Sequence, residues 1–488
     1  MNKKELYLVN LSKKIKKMKV EQIFTSCIAE MAYYIESNGE AAIIDPLRET
    51  EPYLERAKND NAKIKYVFLT HFHADFVSGH VDLAKKTGAT IVYGPGAKAN
   101  FDFHEGTHNE TFEIGEAELK LIHTPGHTME SSSYYLEDNE NDKKYLFSGD
   151  ALFIGDVGRP DLAVKSDLTE EDLAGHLFET LRNRIMTLPD DTIVYPNHGA
   201  GSACGKNMSK ETWDTLGNQK ETNYALRANM TKDEFIEELT TGIKPPPQYF
   251  PKNAGMNKAV NKPIDKIYED GLTQIDVATF KEMSEDSSVL VLDTRKGKEY
   301  TEKGTIPGAI WIGIDGGFAP WVGALILDIN QKIILLADEG REQEVVKRLA
   351  RVGYDNSQGY LKGGFEAWIN AGYEVDTIGS ISAEEFKDKF EENSMEMPLD
   401  VRKDGEYESE HVEGIESFPL DYINNNFAEI SPEKKYFLHC AGGYRSLIAT
   451  SIFKRNGVKK VTDVRGGYGA IKKTGIALTN FVCPTENK

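Results

Sequence analysis

The sequence predicts a multidomain protein of mixed α/β and α+β class, whose C-terminal half is built on parallel sheets. The chain of 488 residues is too long for a single hydrophobic core. Short apolar runs that end in polar or glycine-rich loops recur through residues 18–250. Beyond this region the chain repeats itself, once in residues 271–378 and again in residues 379–488. These observations together indicate three folded domains.

The N-terminal segment, residues 1–17, is basic, and we expect it to be disordered, with Met18 as an alternative start. The short apolar run 6–9 is interrupted by Asn10, and Lys13, Lys14, Lys16 and Lys17 follow it, whereas a signal peptide places its charges before a longer apolar core. The four cysteines show no spacing typical of a disulfide framework or a zinc knuckle. We therefore expect a cytoplasmic protein without a membrane partner.

The acidic composition also excludes one class of partner. The formal net charge is −20, whereas binding to nucleic acid needs a concentrated basic face. We therefore expect no nucleic-acid partner.

In residues 18–250 the polar side chains stand at the ends of strand-like runs. The apolar run 66–69 leads into a loop with two histidines and an aspartate, and the run 145–147 leads to Asp150. Loops in this position are held by a rigid scaffold and remain open to substrate. We expect the chemistry of this domain there.

A proline-rich stretch follows, and residues 251–270 are predicted to form a linker. Beyond the linker the run 290–296 recurs as 399–403, and the run 361–365 recurs as 464–468. Repetition at a fixed offset is typical of a duplicated domain. Strand-like runs alternate with amphipathic helices in both copies, which predicts a parallel sheet in each.

Cys440 stands between a strand-like run, residues 435–439, and a helix-like run, residues 446–453. At such a turn, backbone N–H groups and the positive end of the helix favour a thiolate or a bound anion. Arg445 can pair with an anionic donor such as thiosulfate or sulfite. A buried structural cysteine is the commoner fate of a lone Cys, but the glycine-rich loop and the arginine favour a nucleophile here. The loop residues expected to bind the anion are Gly442, Gly443 and Ser446.

The loop 440–446 resembles the Cys-x-x-x-x-Arg-Ser/Thr active loop of the rhodanese sulfurtransferases. Residues 400–402 and 465–468 match the flanking motifs of that family. The resemblance implies that residues 379–488 form an active rhodanese domain in which Cys440 carries a persulfide.

The middle copy resembles the same family without its nucleophile. Residues 305–309 and 363–368 match rhodanese motifs, but Asp338 stands where the cysteine should be. A carboxylate cannot carry sulfane sulfur. We therefore expect residues 271–378 to be a degenerate rhodanese domain with a structural or docking role.

The first domain carries four polar clusters in a fixed order. An isolated histidine is more often an ordinary surface or core residue, so no single cluster is persuasive alone. The set resembles the metallo-β-lactamase superfamily, whose αββα fold places such clusters round one metal site. The clusters contain His71, His73 and Asp75, then His127, then Asp150, then His198.

The resemblance implies that His71, His127 and Asp150 are the metal ligands. Zinc hydrolases of the superfamily normally place a second histidine after the aspartate of the first motif, whereas this chain has Phe76. Loss of that ligand favours a single metal, and two histidines with one carboxylate suit non-haem Fe(II) with open positions for oxygen and substrate. This set resembles that of the persulfide dioxygenases, which oxidise a thiol persulfide to sulfite.

Other residues near the predicted metal have supporting roles in this interpretation. His73 and Asp75 would orient the ligands or the substrate. His198 would face the open metal positions or hold its own loop. Residues 158–161 resemble a segment that supports the metal carboxylate in the dioxygenases. Cys204 is either a sulfur acceptor or an incidental thiol.

The fusion predicts an enzyme that oxidises a low-molecular-weight thiol persulfide to sulfite and then makes thiosulfate from sulfite, in sulfide detoxification. Its expected cofactor is one Fe(II) per dioxygenase domain, its expected partners are the thiol persulfide, O2 and sulfite, and we expect a homo-oligomer. Two alternatives stay open: a zinc-dependent thioester hydrolase fused to a sulfurtransferase, and a non-catalytic sulfur-carrier or sensor protein. Glutathione, coenzyme A and bacillithiol are all compatible with the sequence as the thiol.

Overall fold

The computed structural model describes residues 18–138, 141–164 and 167–482. The predicted basic extension, residues 1–17, lies outside these residues. The chain forms two compact units: the first runs to Ile264 and takes in Arg351–Gly353, and the second contains the remainder. Within the described part of the chain, no helix is both long and apolar enough to cross a membrane.

The first unit contains two sheets. In the first sheet the N-terminal strands pair antiparallel and the later ones pair parallel. The second sheet is antiparallel apart from one parallel pair, Lys143–Gly149 with Ile193–Pro196. The first sheet has the spatial order β1 (Lys19–Thr25), β2 (Glu30–Ser37), β3 (Glu40–Ile44), β4 (Lys63–Phe68), β5 (Thr90–Tyr93) and β6 (His104–Glu105). The second has the spatial order β7 (Thr111–Ile114), β8 (Ala117–His123), β9 (Ser132–Asp138), β10 (Lys143–Gly149), β11 (Ile193–Pro196) and β12 (Asp214–Thr215).

Apolar side chains on both faces of each sheet hold the layers together. Successive side chains of a strand point to opposite faces, so Tyr33 and Ile35 of β2 join the core between the sheets, whereas Ala32 and Tyr34 join the core under the outer helices. A separate core packs helices on the second sheet. This is the predicted αββα sandwich. Its helices are α1 (Glu51–Asp60), α2 (His80–Thr87), α3 (Glu170–Thr180), which continues as a π-helical turn (Leu181–Ile185), α4 (Leu216–Thr222) and α5 (Lys232–Thr240).

The segment 251–270, expected to be a linker, contains two helices, α6 (Phe250–Met256) and α7 (Ile264–Gly271). The residue that follows α6, Asn257, is fully buried. Its side chain donates to the carbonyl oxygens of His73 (2.8 Å) and Phe76 (2.7 Å). This segment therefore packs against the first histidine motif.

The second unit contains two sheets whose strands all pair parallel. The five strands of each copy have the same spatial order, which in chain order is first, fifth, fourth, second and third, as the sequence repeat predicts. The strands of the first copy are β13 (Gln274–Ile275), β14 (Val289–Asp293), β15 (Ile310–Trp311), β16 (Lys332–Leu336) and β17 (Ser357–Leu361). Those of the second are β18 (Gly379–Ile381), β19 (Met397–Asp400), β20 (Glu416–Ser417), β21 (Tyr436–His439) and β22 (Val461–Val464).

Helices flank both parallel sheets, and each copy has its own apolar core. The helices of the first copy are α8 (Val277–Glu285), α9 (Gly297–Lys303), α10 (Phe318–Leu325), α11 (Glu342–Arg351) and α12 (Gly364–Asn370). Those of the second copy are α13 (Ala383–Glu391), α14 (Asp404–Ser409), α15 (Ile423–Asn426), α16 (Tyr444–Arg455) and α17 (Gly467–Ile471).

Candidate metal centre and cysteine site

His71, His127 and Asp150 meet in the first unit from the ends of three different strands, β4, β8 and β10. The carboxylate Oδ2 of Asp150 lies 3.9 Å from Nε2 of His71 and 3.5 Å from Nε2 of His127. All three side chains are buried. Two imidazoles and a carboxylate that converge in this way are a donor set for a transition-metal ion.

The donor atoms of this cluster are oriented by their other hydrogen bonds. Nδ1 of His71 lies 3.0 Å from the hydroxyl of Thr70, and Nδ1 of His127 lies 2.8 Å from the carbonyl oxygen of Arg159. Both Nε2 atoms therefore face Asp150, whose two carboxylate oxygens have no hydrogen-bond partner among the described residues. Buried polar atoms are normally paired, so the orphaned carboxylate fits a site built for a cation.

The protonation state of His71 also suits a metal site. Burial, together with His73, His127 and His198 nearby, holds the pKa of His71 well below its usual range. Because a metal binds the neutral imidazole, the site favours the ligand form of His71 near neutral pH.

A second buried cluster lies beside the first and contains Asp75, His198 and Cys204. Nε2 of His198 lies 3.5 Å from Asp75 and 3.6 Å from Asp150, so this imidazole stands between the two clusters. The structure thus places His198 at the centre, facing both carboxylates. Burial, with Asp75 and Asp150 nearby, raises the pKa of Cys204 well above its usual value.

His73 belongs to neither cluster. Its Nε2 lies 2.8 Å from Oδ1 of Asp45, and the same oxygen accepts the backbone N–H of Thr70 at 2.8 Å. Although burial opposes a charge on His73, the carboxylates of Asp45, Asp75 and Asp150 together outweigh it and raise the pKa of His73. Asp45 therefore fixes both ends of the loop that carries His71.

The segment 158–161 joins two of the predicted ligands. The N–H of Gly158 donates to the carbonyl oxygen of Asp150 at 3.0 Å, and the next residue supplies the carbonyl that His127 contacts. A Cβ on residue 158 would lie 2.1 Å from the Asp150 carbonyl oxygen, so these two backbone segments can approach so closely only because residue 158 is glycine. The Arg159 guanidinium is held by Asp161, with N–O distances of 2.6 and 2.7 Å.

The second candidate site lies at the turn between β21 and α16, where the sequence predicts Cys440. The Gly443 N–H donates to the Cys440 Sγ at 3.1 Å, and the hydroxyl of Ser446 lies 3.5 Å from the same sulfur. Gly443 has φ +106°, a left-handed conformation that glycine adopts without strain. The turn therefore aims an amide at the sulfur, which suits a thiolate or a bound anion.

Arg445, expected to pair with an anionic donor, is engaged elsewhere. Its guanidinium binds both carboxylate oxygens of Glu406, at 2.5 and 2.8 Å. This bidentate ion pair neutralises the positive charge of Arg445. Gly442, which was also predicted to bind the anion, lies in the same turn, and among the described residues the hydrogen-bond partners of the sulfur are Gly443 and Ser446.

In the middle copy, Ala337 directly follows β16, as Cys440 directly follows β21. Leu336 pairs with Asp293 as His439 pairs with Asp400, so the strand register places Ala337, and not Asp338, at the position of the nucleophile. The assignment of that position to Asp338 was wrong by one residue, although the copy lacks the cysteine as expected. The nearby Arg341 pairs with Asp315 at 2.6 Å and with Glu344 at 2.9 Å. The turn of this copy therefore holds carboxylates and a neutralised arginine in place of a thiol.

Comparison with known proteins agrees with this architecture. A model of the metallo-beta-lactamase superfamily matches residues 27–198, and one of the rhodanese-like domain matches residues 276–371 and 382–474. A solved metallo-beta-lactamase from Staphylococcus aureus is 31% identical; the match covers 70% of this chain and 98% of that chain, with a TM-score of 0.61. The chain belongs to the metallo-β-lactamase superfamily. Two rhodanese-like domains follow its αββα domain.

Among curated proteins, the chain is similar to two probable hydroxyacylglutathione hydrolases of Schizosaccharomyces pombe, one of them glo2. The first is 33% identical to this chain in a match that covers 32% of it, and the second is 30% identical in a match that covers 33% of it. The chain spans 58% and 60% of their lengths. The solved structure of ETHE1 from Myxococcus xanthus is 28% identical over 49% of this chain and 100% of that chain, with a TM-score of 0.42.

Several residues of this superfamily site were missed by the sequence reasoning. Asp45 is separated from His73 by 28 residues and Asn257 by 184, and neither stands in a recognisable motif. Glu30 is fully buried beside the site, with both carboxylate oxygens unpartnered among the described residues. Burial, with Asp45 and Asp75 nearby, raises the pKa of Glu30 well above its usual value. Glu30 begins β2, and an acidic residue directly before the buried apolar run 31–35 was the available signal.

Proposed function

We propose that the chain is an iron-dependent persulfide dioxygenase coupled to a sulfurtransferase. The cluster of His71, His127 and Asp150 carries this proposal, because two imidazoles and one carboxylate are typical of non-haem Fe(II) sites. Phe76 supports the proposal, because a buried apolar side chain stands where a second metal would need a histidine ligand.

In the first reaction a thiol persulfide, O2 and water give the thiol, sulfite and two protons. The terminal sulfur is oxidised and dioxygen is reduced, and the bond between the two sulfur atoms breaks. When bound, Fe(II) supplies the redox chemistry that joins these two substrates. The chain presents Nε2 of His71 and His127 to the metal and excludes bulk water, because every side chain of the cluster is buried.

In the second reaction the Cys440 thiolate attacks the outer sulfur of a second thiol persulfide. A new S–S bond forms on Cys440, and the thiol carrier leaves with the proton. Sulfite then attacks the outer sulfur, which restores the thiolate and releases thiosulfate. The Gly443 N–H, 3.1 Å from Sγ, stabilises the negative charge on the sulfur at the start and end of this cycle.

The test is oxygen consumption by the iron-loaded protein supplied with a thiol persulfide, with sulfite and thiosulfate measured in the same sample. We expect oxygen uptake with thiosulfate as the product. Cys440→Ser should release sulfite at the parent rate and form no thiosulfate, whereas Cys27→Ser, at a half-exposed thiol, should behave as the parent. His71→Ala should abolish oxygen uptake, and the control His176→Ala, at an exposed histidine, should not. Absence of oxygen uptake by the iron-loaded parent would overturn the proposal.

A second candidate is a zinc-dependent thioester hydrolase fused to the same sulfurtransferase. The cluster of Asp75, His198 and Cys204 favours it, because thiolate, imidazole and carboxylate together form a donor set for zinc. The names of the Schizosaccharomyces pombe relatives point the same way. Zinc in the purified protein, with thioester cleavage and no oxygen uptake, would select this function.

A further inference from the structure

A cavity of about 470 Å³ lies between the two rhodanese-like domains of the second unit. The active copy contributes Gly442 and Gly443 from the cysteine turn, and the inactive copy contributes residues of α9 and of the loop after β15. Because the Gly443 N–H donates to Cys440 Sγ, the cavity adjoins the turn that holds the sulfur. Its volume is that of a small-molecule site.

The cysteine turn lacks an available cation of its own. Arg445 is bound bidentately by Glu406, and the side chain of this arginine is only 15% exposed. A negatively charged sulfur donor must therefore find its counter-charge on other residues.

The cavity wall supplies such charges. Lys296 is exposed and makes no ion pair among the described residues, and Lys298 has only a 3.8 Å contact with Glu302 across two exposed side chains. Arg465, on the active copy, is 58% exposed and lies 4.0 Å from Glu385. Exposed pairs of this kind bind their partners weakly. The acidic wall residue Asp315 is already paired with Arg341 at 2.6 Å.

Two further features of the wall restrict the ligand. Trp311 and Leu447 give the cavity an apolar side, and Trp311 is fixed in place by Tyr300 and Tyr444, with ring centroids 5.4 Å away in each case. Asp463 also lines the cavity; it is 3% exposed, and its Oδ1 has no hydrogen-bond partner among the described residues. Such an oxygen accepts an N–H or O–H donor.

We propose that this cavity binds the carrier end of the thiol persulfide, and that Lys296 and Lys298 of the inactive copy bind a carboxylate or phosphate of that carrier. The carrier's chain lies along Trp311, and its outer sulfur reaches Cys440 for the transfer described above. This inference rests on the proposed sulfurtransferase function and adds to it a substrate class, an anionic low-molecular-weight thiol. The inactive copy thus contributes binding groups to the reaction of the active one.

The test measures thiosulfate formation without oxygen, from added sulfite and a thiol persulfide, so that Cys440 alone is assayed. In the double variant Lys296→Ala/Lys298→Ala we expect KM for the persulfides of glutathione and coenzyme A to rise about tenfold, equivalent to about 1.4 kcal/mol, with kcat near the parent value. The persulfide of cysteamine, whose carrier has neither a carboxylate nor a phosphate, should show an unchanged KM. Oxygen-dependent sulfite formation should also be unchanged.

Lys362→Ala is the matched control, because Lys362 is an exposed lysine of the same copy that does not line the cavity. Lys296→Arg/Lys298→Arg should restore the parent KM. A larger rise for glutathione persulfide identifies a carboxylate ligand, and a larger rise for coenzyme A persulfide identifies a phosphate. The inference is overturned if KM in the double variant equals that of the parent or of the Lys362 variant. A parent protein that makes no thiosulfate would instead overturn the proposed function, and the inference with it.

Discussion

Asn257 donates a hydrogen bond from its side-chain amide to the carbonyl oxygen of His73, at 2.8 Å. The same amide group contacts Phe76 and accepts the N–H of Ser78 at 2.8 Å. A side chain just beyond α6 therefore satisfies three backbone groups of the loop that carries His71.

Replacement of Asn257 by alanine should destabilise the first unit and weaken its metal site. It leaves buried backbone groups unpaired, which costs about 2–4 kcal/mol of unfolding free energy. Thermal unfolding and metal content per chain check this expectation. Asn218→Ala, at an exposed helical residue, is the control, and equal stability of the two variants would contradict the role of Asn257.

Gly158→Ala should remove the metal while leaving sulfur transfer at Cys440 intact. The new Cβ would collide with the Asp150 carbonyl oxygen at 2.1 Å and crowd Nδ1 of His127 at 3.1 Å. We expect metal affinity to fall by about tenfold or more, as for the loss of groups that orient ligands. Metal titration followed by spectroscopy measures it, with Gly255→Ala, which meets nothing within 4 Å, as the control. Parent affinity in the Gly158 variant would show that the close approach is unimportant.

Gly443→Ala should slow thiosulfate formation about tenfold without affecting sulfite formation. At φ +106° an alanine is strained, and a strain of about 1–3 kcal/mol would displace the N–H that contacts Cys440. Rates of both products in one reaction give the comparison. Gly405→Ala, whose Cβ would meet nothing within 4 Å, should retain both rates, and a loss of sulfite formation in the Gly443 variant would argue against separate sites.

Asp463 should make the second unit less stable as pH rises from about 4 to about 6. Burial raises the pKa of Asp463 from 3.8 to about 6, so the folded protein keeps a proton that the unfolded chain releases in this range. The folded state therefore loses stability with rising pH, by at most about 3 kcal/mol. Asp463→Asn should flatten this dependence and raise stability at pH 7.

Thermal unfolding of both proteins across that pH range provides the measurement. Asp388→Asn, at an exposed residue of α13, should leave the slope as in the parent. If the stability of Asp463→Asn changes with pH as steeply as that of the parent, groups other than Asp463 titrate in this pH range.

Sequence motifs predicted the architecture and the residues that meet in the two sites. His71, His127 and Asp150 follow strands that the hydrophobic pattern identifies, and the ends of neighbouring strands place their loops together. The duplication was visible because the strand and turn motifs recur at one offset.

The supporting contacts could not be predicted in the same way. Asp45, Asn257 and Glu406 act through hydrogen bonds that span 28, 184 and 39 residues, and such partners are set by tertiary packing. The residues 251–270 were interpreted as a linker because their composition is polar. Their buried asparagine is satisfied by backbone groups of another segment, which no local pattern encodes.

The two rhodanese-like copies share one strand order but differ in the residue that follows the central strand, Ala337 in one copy and Cys440 in the other. Under the proposed binding of the carrier by Lys296 and Lys298, a substitution in the middle copy alters which carrier is accepted while the turn at Cys440 keeps its sequence. Because the fold of the inactive copy depends on its own apolar core, its loops can diversify without the constraint that sulfur chemistry places on the other copy. Because Ala337 stands in its turn where the other copy has Cys440, this domain has no thiol whose reactivity its loops must preserve.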